Sequence, residues 1–336
     1  MKLKIALPIL LLIALVSCKD REKEYVKFGG FAQGTTYSIA YRDAEKRNLQ
    51  QQIDSVLNDF DFSLSIYNPK SIISRMNSND TSVVADAYFT ECFRLSSEVS
   101  RATDGAFDIT VGPLVRAWGF GLKNKDEITQ QHIDSLRLLV GMEKVALKDG
   151  KLVKSNPKIF VDVNAIAQGY SVDVIANYLE SKGITEYLVE IGGETFGKGL
   201  NSRGKPWTIG IDKPYDGNVA PGENLQAKVE LPSGMALATS GNYRKFYVEN
   251  GVKYSHTIDP KLGYPAKNTL LSVSVVAKSC ADADAYATAF MVMGVDRAKQ
   301  FLAKHPELEA YLVFSGRGGK FETYATVGFE KLIVKE

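Results

Sequence analysis

The sequence predicts an α+β fold in which a mainly antiparallel sheet is packed by helices. Three observations lead there. Helical and strand-like periods follow one another without the regular strand–helix alternation of a doubly wound fold, which disfavours a Rossmann assignment. Two tight-turn dipeptides each stand between strand-like runs. Of the 336 residues 45% are hydrophobic and 24% charged, a balance that buries a large core and excludes general disorder.

Apolar residues recur at three- and four-residue spacing over 44–59, 86–102 and 126–140, which predicts three amphipathic helices. A fourth is expected from Ala165 to Ser181, stopped by Gly183, and a fifth over 283–304. Asp149-Gly150 lies between VALK and KLVK, and Asn250-Gly251 between RKFYVE and VKYSHTI; both dipeptides favour the mirror-image turn of a two-residue hairpin. Further strands are expected at 35–42, 186–191, 207–212, 271–278 and 309–314. No long linker, low-complexity tract or solenoid-period repeat interrupts residues 25–336, which read as one domain.

Ahead of that domain, residues 1–17 combine a basic start at Lys2 and Lys4 with an apolar run from Ile5 to Val16, the pattern of an export signal. The run is about 12 residues, short of the roughly 20 needed to span a bilayer, so cleavage is expected. Leu15-Val16-Ser17-Cys18 resembles a bacterial lipobox, which implies a Cys18 acylated with palmitate-type chains, a charged tether over 18–24, and a domain facing an extracytoplasmic compartment such as the periplasm. An uncleaved short anchor or a plain signal peptide is the alternative. Losing Lys2 and Lys4 with the segment leaves 39 basic and 39 acidic side chains, a balance that gives no support to a nucleic-acid partner. Cys92 and Cys280 are then too few for a disulfide scaffold, and sequence leaves open whether they pair.

Several segments carry chemistry. In SCADADAYATAFMVMG, Asp284 and Thr288 are four residues apart at the start of a predicted helix, so both oxygens project from one face. Hard oxygens of this kind suit Mg²⁺, which takes few carboxylates; the other reading is that Asp282 or Asp284 caps the helix while Thr288 packs inside. In VDVNAIAQGYSVD a short apolar run enters a small-residue turn and a helix, whose N-terminal amides form a cradle for a pyrophosphate, although Ala165, Ala167 and Gly169 equally fit close helix packing. His256, in Ser255–Pro260, is a proton shuttle or phosphate partner on one reading and structural on the other. His132 and His305 stand apart from it, which excludes a histidine-based zinc site. In Gly105–Thr110 the Phe107 ring suits stacking and Asp108 suits accepting from a ring nitrogen or ribose; a buried Phe beside a capping Asp is the alternative. Gly192-Gly193-Glu194, with Gly197 and Gly199, is a glycine-rich turn that reads as structural before ligand-binding.

Taken in order, GFAQGTTYSIAY, SIYNPKSIISRMN, DGAFDITVGPLVRAWGF, VDVNAIAQGYSVD, VEIGGETFGKG, ALATSGNYRKFY, HTIDPKLGYP and ADADAYATAF resemble the ApbE family of FAD:protein FMN transferases. The resemblance implies a T-fold-like α+β architecture with FAD held in a cleft beside Mg²⁺. By matching segments it implies metal ligands at Asp284, Thr288 and the backbone oxygen of Ala167. It implies flavin contacts at Gln33, Tyr67, Ala106, Phe107, Asp108, Asn164, Tyr170 and Ile258, with His256 close by. Two positions depart from the family's pattern: Gln33 stands where Met is common, and Gln168 where a Lys is common in the turn. The reaction so implied is attack of a Ser or Thr hydroxyl of a target flavoprotein on the FMN-side phosphorus of FAD, leaving AMP and a phosphoester flavin. Asp284 is then the dominant catalytic side chain, His256 or a metal-side carboxylate the candidate base, and the acceptors are subunits of membrane redox complexes. Two rivals use the same residues: an FAD pyrophosphatase releasing FMN and AMP, and a non-catalytic flavin-binding lipoprotein.

Overall fold

A computed structural model describes residues 23–120, 128–215, 217–218, 222–242, 246–249, 252–317 and 320–335. The signal-like segment, Cys18, the start of the tether and the Asn250-Gly251 turn lie outside the described residues.

The chain enters as a hairpin of β1 (Val26–Ala32) and β2 (Thr35–Tyr41). Alternation along β2 buries Tyr37, Ile39 and Tyr41 on one face. Helix α1 (Gln50–Leu64) buries Ile53, Leu57, Phe60 and Leu64 at spacings of four, three and four. The expected start near residue 44 is overturned because Asp43 takes both the backbone N–H and the guanidinium of Arg47, a closed turn that holds this stretch out of helix. Helices α2 (Ile72–Asn77) and α3 (Ala87–Ala102) follow, the latter capped by Asp86, which accepts from the Phe89 amide at 2.8 Å. Next come α4 (Gly112–Ala117) and α5 (Gln130–Arg137), shorter than the expected 126–140 because Thr129 caps its start.

The hairpin of β3 (Val145–Lys148) and β4 (Lys151–Lys154) turns on Asp149 and Gly150, both at positive φ as the dipeptide predicts. Helix α6 (Ala167–Ser181) leads into β5 (Tyr187–Ile191), β6 (Glu194–Lys198), β7 (Trp207–Asp212), β8 (Leu225–Leu231) and β9 (Met235–Gly241). β10 (Phe246–Glu249) pairs with β11 (Val252–Ser255) on either side of the second predicted turn. β12 (Leu270–Ala277), α7 (Cys280–Leu302), β13 (Glu309–Ser315), β14 (Phe321–Ala325) and α8 (Val327–Glu330) complete the order.

Eight strands form one antiparallel sheet in the order β1-β2-β5-β6-β9-β12-β13-β14, while β7 and β8 pair separately, so the strand expected at 207–212 stands outside the main sheet. Helices α6 and α7 pack on each other and on the centre of the sheet. Tyr37, Ile39, Val172, Ile175 and Val189 share one buried cluster, and Phe290, Met291, Val273 and Val275 another.

α7 is broken at Gly294, whose φ of 75° and ψ of 177° leave the helical region. The Asn268 amide donates to the Met291 carbonyl at 2.9 Å, satisfying an acceptor near the break. Cys92 and Cys280 are both buried and free, so they form no disulfide. No described helix is long and apolar enough to cross a membrane.

Candidate functional site

A cleft of about 900 Å³ opens where one end of the central sheet meets α6, α7 and the 106–109 segment. This is at the upper end of the range for small-molecule sites. Two strand turns form its floor: Gln33-Gly34 between β1 and β2, and Gly192-Gly193 between β5 and β6. Gly192 and Gly193 have φ of 61° and 104°, and a Cβ on Gly192 would collide with the Gln168 amide, so the glycine lets α6 come down onto the turn.

Asp284 and Thr288 both line the cleft, one turn apart on α7, as their spacing predicts. The helix is capped by Ser279, which accepts from the Asp282 amide at 3.1 Å, so neither Asp282 nor Asp284 is the cap. One Asp284 oxygen accepts the Gly169 N–H of the first turn of α6 at 3.1 Å, and Thr288 lies 3.2 Å from the Ser240 hydroxyl. Ala167, the first residue of α6, lies on the same wall. Burial pushes the Asp284 carboxyl up, and the Gly169 N–H only partly opposes it. Asp61, Asp108 and Asp162, also in the lining, are likewise raised by burial.

Among the described residues no group of three or more His, Cys, Asp or Glu side chains is arranged for a metal. Where α6 meets α7 the lining offers the Asp284 carboxylate and the Thr288 hydroxyl beside Ala167, hard oxygens of the kind that Mg²⁺ takes. Gln33 stands at φ 54°; its Oε1 accepts from the Ser171 hydroxyl at 3.2 Å, while its buried Nε2 has no hydrogen-bond partner. An orphaned donor on the lining is a group a bound acceptor would satisfy.

The other expected contacts divide. Tyr67, Ala106, Phe107, Asp108, Asn164, His256 and Ile258 all line the cleft, and the Asn164 amide donates to the Tyr67 hydroxyl at 3.2 Å. Asp108 also acts as a cap: one oxygen takes the Thr110 amide and hydroxyl, the other the Met142 amide at 3.1 Å. The Phe120 ring meets His256 edge-on at 6.4 Å. Tyr170 is the exception. Two positions past Gln168, it lies about 200° round the helix and packs behind Phe60 at 5.5 Å, so it does not line the cleft. Asp61, Asp212 and Ser240 were not singled out by sequence reasoning, and Glu194 entered only as part of a glycine-rich turn, yet all four line the site. Glu194 and Ser240 belong to quoted segments, whereas nothing marks Asp61 within its helix.

Fold and cleft together define an α+β protein with a nucleotide-sized site built around a hard-oxygen pair. The profile described as the ApbE family matches residues 33–312. An FAD:protein FMN transferase of Vibrio cholerae is 38% identical over 333 residues, covering 96% of this chain and 97% of its own. That of Haemophilus influenzae is 35% identical, covering 95% and 94%. The solved Flavin Transferase ApbE from Vibrio cholerae superposes with a TM-score of 0.81 at 36% identity, covering 92% of this chain and 99% of that one. The chain belongs to the ApbE family.

Proposed function

We propose that the cleft binds FAD and that the chain transfers the FMN half to a Ser or Thr hydroxyl of an acceptor protein. The observation that carries this is the pairing of Asp284 and Thr288 against the first turn of α6 inside a cleft of dinucleotide size. Asp284, Thr288 and the Ala167 carbonyl would hold Mg²⁺, which when bound supplies charge neutralisation at the diphosphate. The chain's own groups do the rest. Gln33, Tyr67, Ala106, Phe107, Asp108, Asn164 and Ile258 bind and orient the flavin side. The acceptor oxygen forms a bond to the FMN-side phosphorus as the bond to the AMP oxygen breaks, AMP leaves, and the hydroxyl proton passes to His256 or a carboxylate of the lining. The chain is anchored by lipid at Cys18 with its domain on the extracytoplasmic side, where flavoprotein subunits of membrane redox complexes are the acceptors.

The test is incubation with FAD, Mg²⁺ and an acceptor subunit, read by in-gel flavin fluorescence and acceptor mass. Covalent flavin supports transfer; free FMN with an unmodified acceptor identifies a hydrolase, and unchanged FAD a binder. Asp284→Ala is expected to abolish transfer, and full activity in that variant would refute the metal assignment.

A further inference from the structure

We infer that the end of the sheet where the chain enters the fold docks on anionic lipid headgroups, so that the cleft opens away from the bilayer. The inference rests on the lipid anchor at Cys18 proposed above. The fold takes hold of the chain at once: the Lys23 amide donates to the Ser202 carbonyl at 2.8 Å. The Tyr25 hydroxyl donates to the Leu200 carbonyl, and its ring meets Trp207 edge-on at 5.7 Å. Lys23 follows Cys18 by five residues, which span at most about 18 Å fully extended. Lys23 and the Ser202 carbonyl bonded to it are therefore kept close to the lipid.

Topology then sets the direction. Val26 of β1, Tyr41 of β2, Tyr187 of β5 and Lys198 of β6 share this end, whereas the turns at 33–34 and 192–193, which line the cleft, are at the other. Four to seven residues of strand separate the two ends, about 14–24 Å at roughly 3.4 Å per residue.

Charge completes the case. Glu186 is shared by Lys23 at 2.7 Å and Arg42 at 2.8 Å, so one of those two cations is uncompensated. Arg203 and Lys205 are exposed on the same loop without a carboxylate partner among the described residues, and Leu200 beside them is 38% exposed. Cations held this close to an anionic surface are attracted to it, and a basic patch beside a lipid chain supplies the second signal that fixes orientation.

The test uses the full lipidated chain in vesicles of phosphatidylcholine with and without phosphatidylglycerol, carrying a nitroxide on a lipid headgroup as quencher. A fluorophore is attached through Ser202→Cys or, beside Pro260 at the cleft, through Leu262→Cys; Cys92 and Cys280 are buried and remain unlabelled. Quenching at 202 is expected to exceed that at 262 severalfold in anionic vesicles. It is expected to fall toward the 262 level in the R203E/K205E variant and at about 1 M salt, where screening acts within about 3 Å. Mass analysis of the Cys18 peptide separates the two readings. An unmodified Cys18 overturns anchor and docking together; a lipidated chain whose two labels are quenched equally, or whose quenching ignores charge reversal, overturns docking alone.

Discussion

A Cβ added at Gly169 would press on the Cys280 carbonyl and stand 2.8 Å from the Asp284 Cβ, because α6 and α7 touch backbone to side chain at this point. Gly169→Ala is therefore expected to force the helices apart, costing about 1–3 kcal/mol of stability and displacing the amide that holds Asp284, with melting and transfer assays falling together. Thr288 separates packing from chemistry more cleanly. Thr288→Ser is expected to keep transfer and Thr288→Val to lose it, while both melt near the parent; an active Val variant would show that the hydroxyl is not used. At this scale the sequence was readable where spacing alone fixes direction, as for Asp284 and Thr288. Tyr170, assigned from a matching segment, has its ring turned by helical phase toward Phe60, a direction that the segment match did not convey.

Among elements, the α6–α7 contact has a second tie. Asp173 on α6 accepts the Cys280 and Ala281 amides at 2.7 and 2.9 Å, serving the start of a neighbouring helix. Burial nevertheless raises its pKa to about 7 from 3.8, the two N–H donors opposing the shift. The folded chain thus binds a proton here that the unfolded chain has released, so this group's contribution is greatest below pH 3.8 and is lost as pH rises through about 7. The melting-temperature difference between parent and Asp173→Asn is expected to shift toward the parent as pH is lowered from 8 to about 5; a pH-independent difference would contradict this. Ser279→Ala, which removes the cap of α7, is expected to cost about 1 kcal/mol. Helix starts were legible where a capping residue was obvious and misread at residue 44, where the Arg47–Asp43 turn intervenes. Strands β1, β6 and β9 went unread because VKFGGFA, ETFGK and MALATSG are too rich in Gly, Ala and Thr to alternate clearly.

For the molecule as a whole, strand order was beyond sequence. The pairing of β2 with β5 and of β6 with β9 joins segments separated by helices or by the β7–β8 hairpin, and periodicity carries no information on such partners. Long-range packing likewise brings Asp61 of α1, Asp162 of the loop before α6 and Glu194 of β6 to the cleft, which is why acidic residues scattered over 134 positions gave no local signal. If the site holds its ligands as proposed, FAD with Mg²⁺ is expected to raise the melting temperature more than FAD with a chelator, by linkage to the folded state. Equal shifts would mean that nucleotide binding does not depend on the ion.

The interruption of α7 at Gly294 has a consequence for tolerance to change. Asp284, Thr288 and Val292 all belong to the stretch before it, so their mutual phase is fixed by an unbroken rod of helix. Beyond Gly294 the chain starts a new segment with its own axis. Residues added or deleted there would be absorbed at the joint, leaving the two oxygens in step, whereas a single residue inserted between 284 and 288 would swing one of them about 100° out of register.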